Sequence, residues 1–446
     1  MPNNGMAAGR GWLRDITSYQ WRVLLLAWFG WALDNTDFNL FAVVLRPALG
    51  ELLGGNPSVG DIGRVGGLLS MVGLMGWALG GMCFGVVGDY IGRIRTLTLS
   101  VVMVAIFTAL QGLSPNTLVF GICRFLAGVG TGAEFVVGIP LVAEAFADLP
   151  RARMLGFMMT GASFGSIFGG QLYAWFGPYG WRYPLFAGAV PALILLALRR
   201  GMEEPERFKA VYARRQELKA RALKSVAAIS VEERRFLGFA PKQLFNRENR
   251  YNTMVGVLFS LGALLGIWPS NVWLPTIQVQ MLGRSGISGA AAVPFVGHGM
   301  ILFGIGGMLG QAAYGFIADA IGRRGANALY SSGTLVSGLI LYVVLQDYSL
   351  YPFVLPFFGF SVFGIFAGLA VYLPELFPTH VRATAVSFCS GTGRLVTSFG
   401  PLVAGLLVVP FGGNFALATA AITGFAVLAI VAMALGRETK DDILPV

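Results

Sequence analysis

The sequence predicts an all-α membrane protein of twelve transmembrane helices, arranged as two pseudo-symmetric six-helix bundles. Three observations predict this. Of 446 residues, 55% are hydrophobic and only 12% are charged, and the mean hydropathy is +0.69, a balance typical of chains that live in lipid. Apolar runs recur about a dozen times, at roughly 21–45, 65–88, 96–113, 117–143, 153–176, 182–199, 251–279, 294–318, 326–346, 351–373, 384–409 and 411–436. At ~1.5 Å per residue each run is about long enough to cross a ~30 Å hydrocarbon core. The third observation is an internal repeat that pairs the first six runs with the last six.

Basic residues sort by loop. The N-terminus, the even-numbered turns, the central segment and the C-terminus carry 26 of the 32 Lys and Arg, whereas the opposite loops hold Arg46, Arg64, Arg182 and Arg284. The positive-inside rule therefore predicts a multi-pass inner-membrane protein with both termini cytoplasmic. The formal charge of +10 is a topology signal in this setting and implies no nucleic-acid partner. Residues Met1 to Asp15 are polar, glycine-rich and basic, unlike a cleavable signal, so the first span is expected to be retained. Cys83, Cys123 and Cys389 lie singly in apolar segments without metal-type spacing. They read as packing residues, and no metal or cofactor is expected.

The charged stretch GMEEPERFKAVYARRQELKARALK divides the chain into a bundle at 1–200, a cytoplasmic linker at 201–250 and a bundle with a tail at 251–446. Glu217 and Arg221 stand four apart after Pro205, which predicts a solvated surface helix in part of the linker. The repeat is explicit at GVVGDYIGR, Gly85 to Arg93, which recurs as GFIADAIGR, Gly315 to Arg323, 230 residues later. Glu144 and Arg151 likewise match Glu375 and Arg382 at a separation of 231. A repeat of six spans keeps its orientation, so the bundles are related by an axis along the membrane normal, with a site near the midplane between them.

The GxxxDxxGR pattern after spans 2 and 8 resembles the major facilitator superfamily, and the likeness extends over nearly the whole chain. It implies an alternating-access transporter that works as a monomer in the lipid bilayer. It also implies that Asp89, Arg93, Asp319 and Arg323, with Glu144, Arg151, Glu375 and Arg382, gate the cytoplasmic side; the alternative is that they only fix their hairpins. Within the family, Asp-x-x-Asp-Phe of span 1, the GTGR ending at Arg394 and PELFPTHVRATA resemble proton symporters of organic acids, including aromatic-acid, sialate and monocarboxylate carriers. Asn35 stands where the aromatic-acid branch has glycine. EEPERF and RETK are similar to sugar-porter motifs, but the arginine-rich turn of those porters is absent from GDYIGRIRT.

Charges inside the spans break the repeat. Asp34 and Asp37 correspond to Leu264 and Ile267, Arg124 to Val354, and Arg394 to Phe164. Features present in one half only are candidates for substrate and ion. Asp34 and Asp37 share a helical face, and two close carboxylates in low dielectric resist ionising together, which suits proton coupling. The alternative is a lock to an arginine of another span. Arg124 opens RFLAGVGTGAEF and is expected to regulate these acids, with Glu134, almost three turns on, as a second proton site. Arg394 cannot lose its proton, and its planar fork matches a carboxylate. It implies an anionic substrate, or else an internal ion pair with a span 1 acid. Asn271, Trp273, Gln311 and Tyr372 are candidates for the opposite wall of the site, and His298 lies near the outer end of span 8. GASFGSIFGG in span 5 is close to an antiporter pattern, with Ser166 in place of the proline.

The expected function is proton-coupled uptake of a small organic anion, with that anion and protons as partners. Proton-coupled export of drugs or cations and facilitative transport of sugars or acids are the alternatives. No nucleophile–base pair, metal set or phosphate loop suggests an enzyme.

Overall fold

A computed structural model describes residues 16–146, 151–199, 244–345, 347–377 and 379–440. The expected linker helix, with Glu217 and Arg221, lies outside these residues. The first half holds α1 (Ser18–Leu52), α2 (Val59–Ile91), α3 (Arg93–Gly112), α4 (Thr117–Ala145), α5 (Arg151–Phe176) and α6 (Arg182–Arg199). The second holds α7 (Arg250–Arg284), α8 (Val293–Leu339), α9 (Tyr351–Glu375), α10 (Thr379–Thr397), α11 (Gly400–Leu407), α12 (Phe415–Thr423) and α13 (Val427–Leu435).

Among the described residues, 8 helical stretches are long and apolar enough to cross a bilayer, and the stretch Gly289–Val344, at 56 residues, is long enough to cross twice. α1, α5 and α10 carry too many polar groups to join that set, and in α1 those groups are the aspartates and their neighbours. The twelve passes follow once α8 is counted as two, and α10 with α11 and α12 with α13 are each taken as one interrupted pass. Spans 8 and 9 run on as one helix bent at Gly322, whose φ of 85° and ψ of 164° are non-helical. Its repeat counterpart Gly92 takes φ 104° and ψ 156° between α2 and α3. Only glycine adopts this backbone without strain, so the repeat is conserved in conformation as well as in letters.

Local chemistry fixes the helix starts. Thr17 and Gln20 form a reciprocal capping box at α1, as do Ser58 and Asp61 at α2, each satisfying amides the first turn leaves open. Phe316, Phe353 and Phe357 stand well exposed on the outer surface of the bundle, as side chains do when lipid is the solvent.

With an even number of passes, Ser18 at the start of α1 and Leu435 at the end of α13 lie at the same face, the terminal face. Gln20 Nε2 donates to the Ala145 carbonyl at 2.7 Å, and the amide of Arg323 donates to Glu438 Oε1 at 2.8 Å. The halves meet toward the opposite face, where α2 packs on α11, α5 on α8 and α1 on α7. These first two contacts are related by the repeat. A Cβ at Gly63 would strike the Gly405 carbonyl and one at Gly405 the Gly63 carbonyl, and Gly170 and Gly297 meet in the same way. This seam is made of bare backbone.

Candidate functional site

α1 carries Asp34 and Asp37 into the interior, 1% and 3% exposed. Asp37 is fully engaged. Its Oδ2 accepts from Arg124 Nη1 of α4 at 2.6 Å, and its Oδ1 accepts from the Thr108 hydroxyl of α3. The Arg124 guanidinium lies over the rings of Phe38 and Phe41, at 4.4 and 4.1 Å from their centroids. A Cβ on Gly73 would come within 2.6 Å of Arg124 Nε, so glycine there makes room for the cation. The ion pair and two π faces hold this arginine, and the hydroxyl fixes the carboxylate it meets.

Asp34 has neither oxygen bonded to any described partner. It borders a small crevice between α1, α3 and α6, lined by Leu33, Asp37, Val101, Thr108 and Ala192. One turn earlier, Gly30 opens space for a second ion pair. Glu134 Oε1 accepts from Arg199 Nη2 at 2.8 Å, and Arg199 also donates to the Leu97 carbonyl. Glu134 Oε2 has no described partner. The residues therefore form a row, Arg124, Asp37, Asp34, Glu134 and Arg199, in which the middle carboxylate is unpaired. Arg199 was legible only as one more cytoplasmic basic residue, because its partner is 65 positions away.

Arg394 of α10 is 8% exposed and forms no ion pair among the described residues. Its guanidinium reaches into the other half, 4.6 Å from the Trp77 ring centroid and 3.9 Å from that of Phe135. Two aromatic groups meet at this point. Phe38, Trp77 and Trp268 lie 5.0 to 6.0 Å apart. Trp31, Phe135 and Phe366 are linked at 5.6 and 6.2 Å. The indole N–H groups of Trp31, Trp77 and Trp268 have no described acceptor. Phe38 and Trp268 are 230 apart in sequence, and Phe135 and Phe366 are 231 apart, so each pair joins repeat-equivalent rings across the pseudo-axis. That spacing was the signal for an aromatic site, and a search for asymmetric charges passes over it.

The remaining candidates divide by location. Gln311 Oε1 accepts from Ser163 Oγ of α5 at 2.8 Å, joining the halves, while its Nε2 and the Asn271 Oδ1 have no described partner. Trp273 donates to the Pro401 carbonyl at 3.0 Å and packs on Phe415, within the seam of the opposite face. Tyr372 donates to the Arg437 carbonyl at 2.8 Å, toward the terminal face. There Arg323 pairs with Asp319 at 3.0 Å and with Glu375 at 3.4 Å. Glu438 of the tail accepts from the amides of Arg323 and Arg324. Partial burial opposes ionisation of Glu438, but the amides of Lys440, Arg323, Arg324 and Thr439 prevail and hold its carboxyl below the usual range. Arg93 is half-buried just after Gly92. The side chains of Asp89, Glu144, Arg151 and Arg382 lie outside the described residues.

The Major Facilitator Superfamily profile matches residues 27–302. A gallate transporter of Pseudomonas putida is 29% identical over 409 residues, covering 89% of this chain and 87% of that protein. A cis,cis-muconate transport protein of Acinetobacter baylyi is 28% identical, with 90% and 91% covered. Among solved structures, a D-xylose–proton symporter superposes with a TM-score of 0.72 at 18% identity, covering 96% of this chain and 100% of that one, a likeness of fold.

Proposed function

Since the chain belongs to the major facilitator superfamily, and is thus a transporter rather than an enzyme, we propose that it couples proton entry to uptake of a small carboxylate with a flat, conjugated body. The terminal face is cytoplasmic in this reading. The bundles at 1–200 and 251–446, joined by the linker at 201–250, rock as two bodies within a monomer. The observation that carries the proposal is Arg394: a buried guanidinium without a carboxylate partner, set against Trp77 and Phe135. A carboxylate would take the fork of that cation, and its conjugated portion would stack on the surrounding rings. Gallate and cis,cis-muconate, named for the two relatives, are both conjugated carboxylates, which supports the substrate class. Gln311 Nε2 and Asn271 Oδ1 offer a donor and an acceptor for a further polar group.

Charge counting supports the coupling. Among the described residues, the buried Asp, Glu, Lys and Arg side chains inside the spans are Asp34, Asp37 and Glu134 against Arg124, Arg199 and Arg394, three of each sign. An arriving anion leaves one negative charge in excess, and a proton on unpaired Asp34 restores neutrality in a medium where net charge is costly. By linkage, the anion binds better to the protonated carrier, so affinity falls as pH rises. Asp37 and Arg124 keep the row in register, and the groups around Arg323 latch the cytoplasmic face until substrate is enclosed. A cationic drug bound between the halves would face the Arg394 guanidinium, which disfavours export of cations.

The test is uptake by proteoliposomes of benzoate, gallate, cis,cis-muconate, sialate and lactate, with and without an inward proton gradient. Gradient-stimulated uptake of a conjugated acid is expected, abolished in Arg394→Ala and reduced to exchange in Asp34→Asn. Uptake confined to sialate or lactate would refute the substrate class. Uptake indifferent to the gradient, with Asp34→Asn unimpaired, would refute the coupling.

A further inference from the structure

The Glu134–Arg199 pair has no counterpart in the second half and is not needed to bind a carboxylate at Arg394. It is nonetheless buried almost completely, at 0% and 3% side-chain exposure. A Cβ on Gly30 would lie 2.5 Å from Glu134 Oε2 and 2.7 Å from Arg199 Nη2. Gly30 and Asp34 are four residues apart on α1, so the pair sits one turn from Asp34 on the same face. Two unpartnered carboxylate ends, Glu134 Oε2 and Asp34, thus share one neighbourhood with one guanidinium that, of the carboxylate oxygens, holds only Glu134 Oε1 and otherwise donates to the Leu97 carbonyl. The charges acting on Asp34 are those of Glu134 from α4, Asp37 on its own helix and Arg199 from α6. Arg124 is committed to Asp37, and Thr108 donates to that same carboxylate.

We infer that Arg199 is a positioning residue of the proton path, a counter-ion that Glu134 and Asp34 use in turn. This rests on the reading of Asp34 as the proton carrier. While Asp34 holds the proton, Arg199 neutralises Glu134. When the Asp34 O–H bond breaks and the proton passes to Glu134 Oε2, the guanidinium moves to the new carboxylate. One proton and one cation exchange places, so no step leaves a buried charge without its opposite. The proton then stands one turn nearer the terminal face, where α6 ends and water can accept it. Arg199 is suited to this because it lies in the last turn of its helix and its fork can bridge two carboxylates, whereas Arg124 is clamped by rings and by Gly73.

An infrared pH titration of the buried carboxylic-acid C=O band, in purified protein with no substrate added, tests this. The band is expected to vanish in Asp34→Asn. In Glu134→Gln it should titrate about one pH unit lower than in the parent, and in Arg199→Gln about one unit higher, the scale of one nearby charge. Arg199→Lys keeps the charge and should shift the midpoint less than either; it also serves if Arg199→Gln does not fold. A static pair would move Glu134→Gln and Arg199→Gln in these same senses by charge alone but would leave Arg199→Lys at the parent midpoint, so the smaller shift in Arg199→Lys carries the distinction. Midpoints unmoved in Glu134→Gln and in the folded Arg199 variant, with the band still assigned to Asp34, would overturn the inference alone. A band that survives in Asp34→Asn would overturn both it and the proton-carrier reading.

Discussion

The two halves repeat one backbone and divide the chemistry. Gly92 and Gly322 take nearly the same dihedral angles at equivalent turns, and repeat-equivalent rings meet across the axis. Yet among the described residues the first half buries five charges in a row, while the second buries one, Arg394, with no ion-pair partner. A duplicated fold therefore keeps what closes its turns and its seam in two copies. What responds to a proton or an anion needs only one copy, and a second would have to be neutralised at the cost of burial.

The sharpest way to break this comparison is to remove one arginine from each half. Arg124→Leu strands Asp37, and about 3–5 kcal/mol of stability should be lost, read as a lowered thermal midpoint in detergent. Asp37→Asn combined with Arg124→Leu should recover most of it. Arg394→Leu removes a buried charge that has no ion-pair partner among the described residues and should hold or raise the midpoint, while substrate binding falls. If both leucine variants destabilised alike, the halves would not differ as described.

A subtler variant, Arg394→Lys, keeps the charge and loses the planar fork. Roughly 10- to 100-fold weaker binding is expected from the loss of one charge-assisted pair, measured by quenching of intrinsic tryptophan fluorescence with Trp77 adjacent. Smaller still is the tail contact of the second half. Glu438→Gln should cost about 1 kcal/mol. Its carboxyl is held below the usual range when folded, so the parent's advantage is complete above that range and fades as pH drops through the folded value. At the opposite end of the first half, Glu51 accepts from Arg182 and Trp181 and is likewise depressed, chiefly by the Arg182 hydrogen bond. With Glu51 more than half exposed, Glu51→Gln should cost only a few tenths of a kcal/mol.

Most of the architecture was legible because lipid imposes long apolar runs and because glycine and charge recur at a fixed interval. The asymmetric charges were legible for the same reason, as exceptions to a pattern the chain itself supplies. Their partners were legible only in part. Arg124 was expected to act on the two span 1 acids together, and only packing gives it Asp37 alone and leaves Arg394 among rings. Arg199 counted as a topology signal until α6 placed it beside Glu134. The interruption near Ser398 and the continuity through Gly322 escaped a reading by hydropathy, since neither changes the apolar content of its span.

The seam through Gly63 and Gly405 has no ionisable group at its closest approach, whereas the cluster on the other face joins Arg323, Asp319 and Glu375 of the second half, with Asp319 77% exposed. Electrolyte reaches one and has nothing to screen in the other. Raising ionic strength should therefore loosen that cluster within the second half and leave the glycine seam between the halves untouched, so salt tunes the firmness of one bundle's end without prising the two bundles apart.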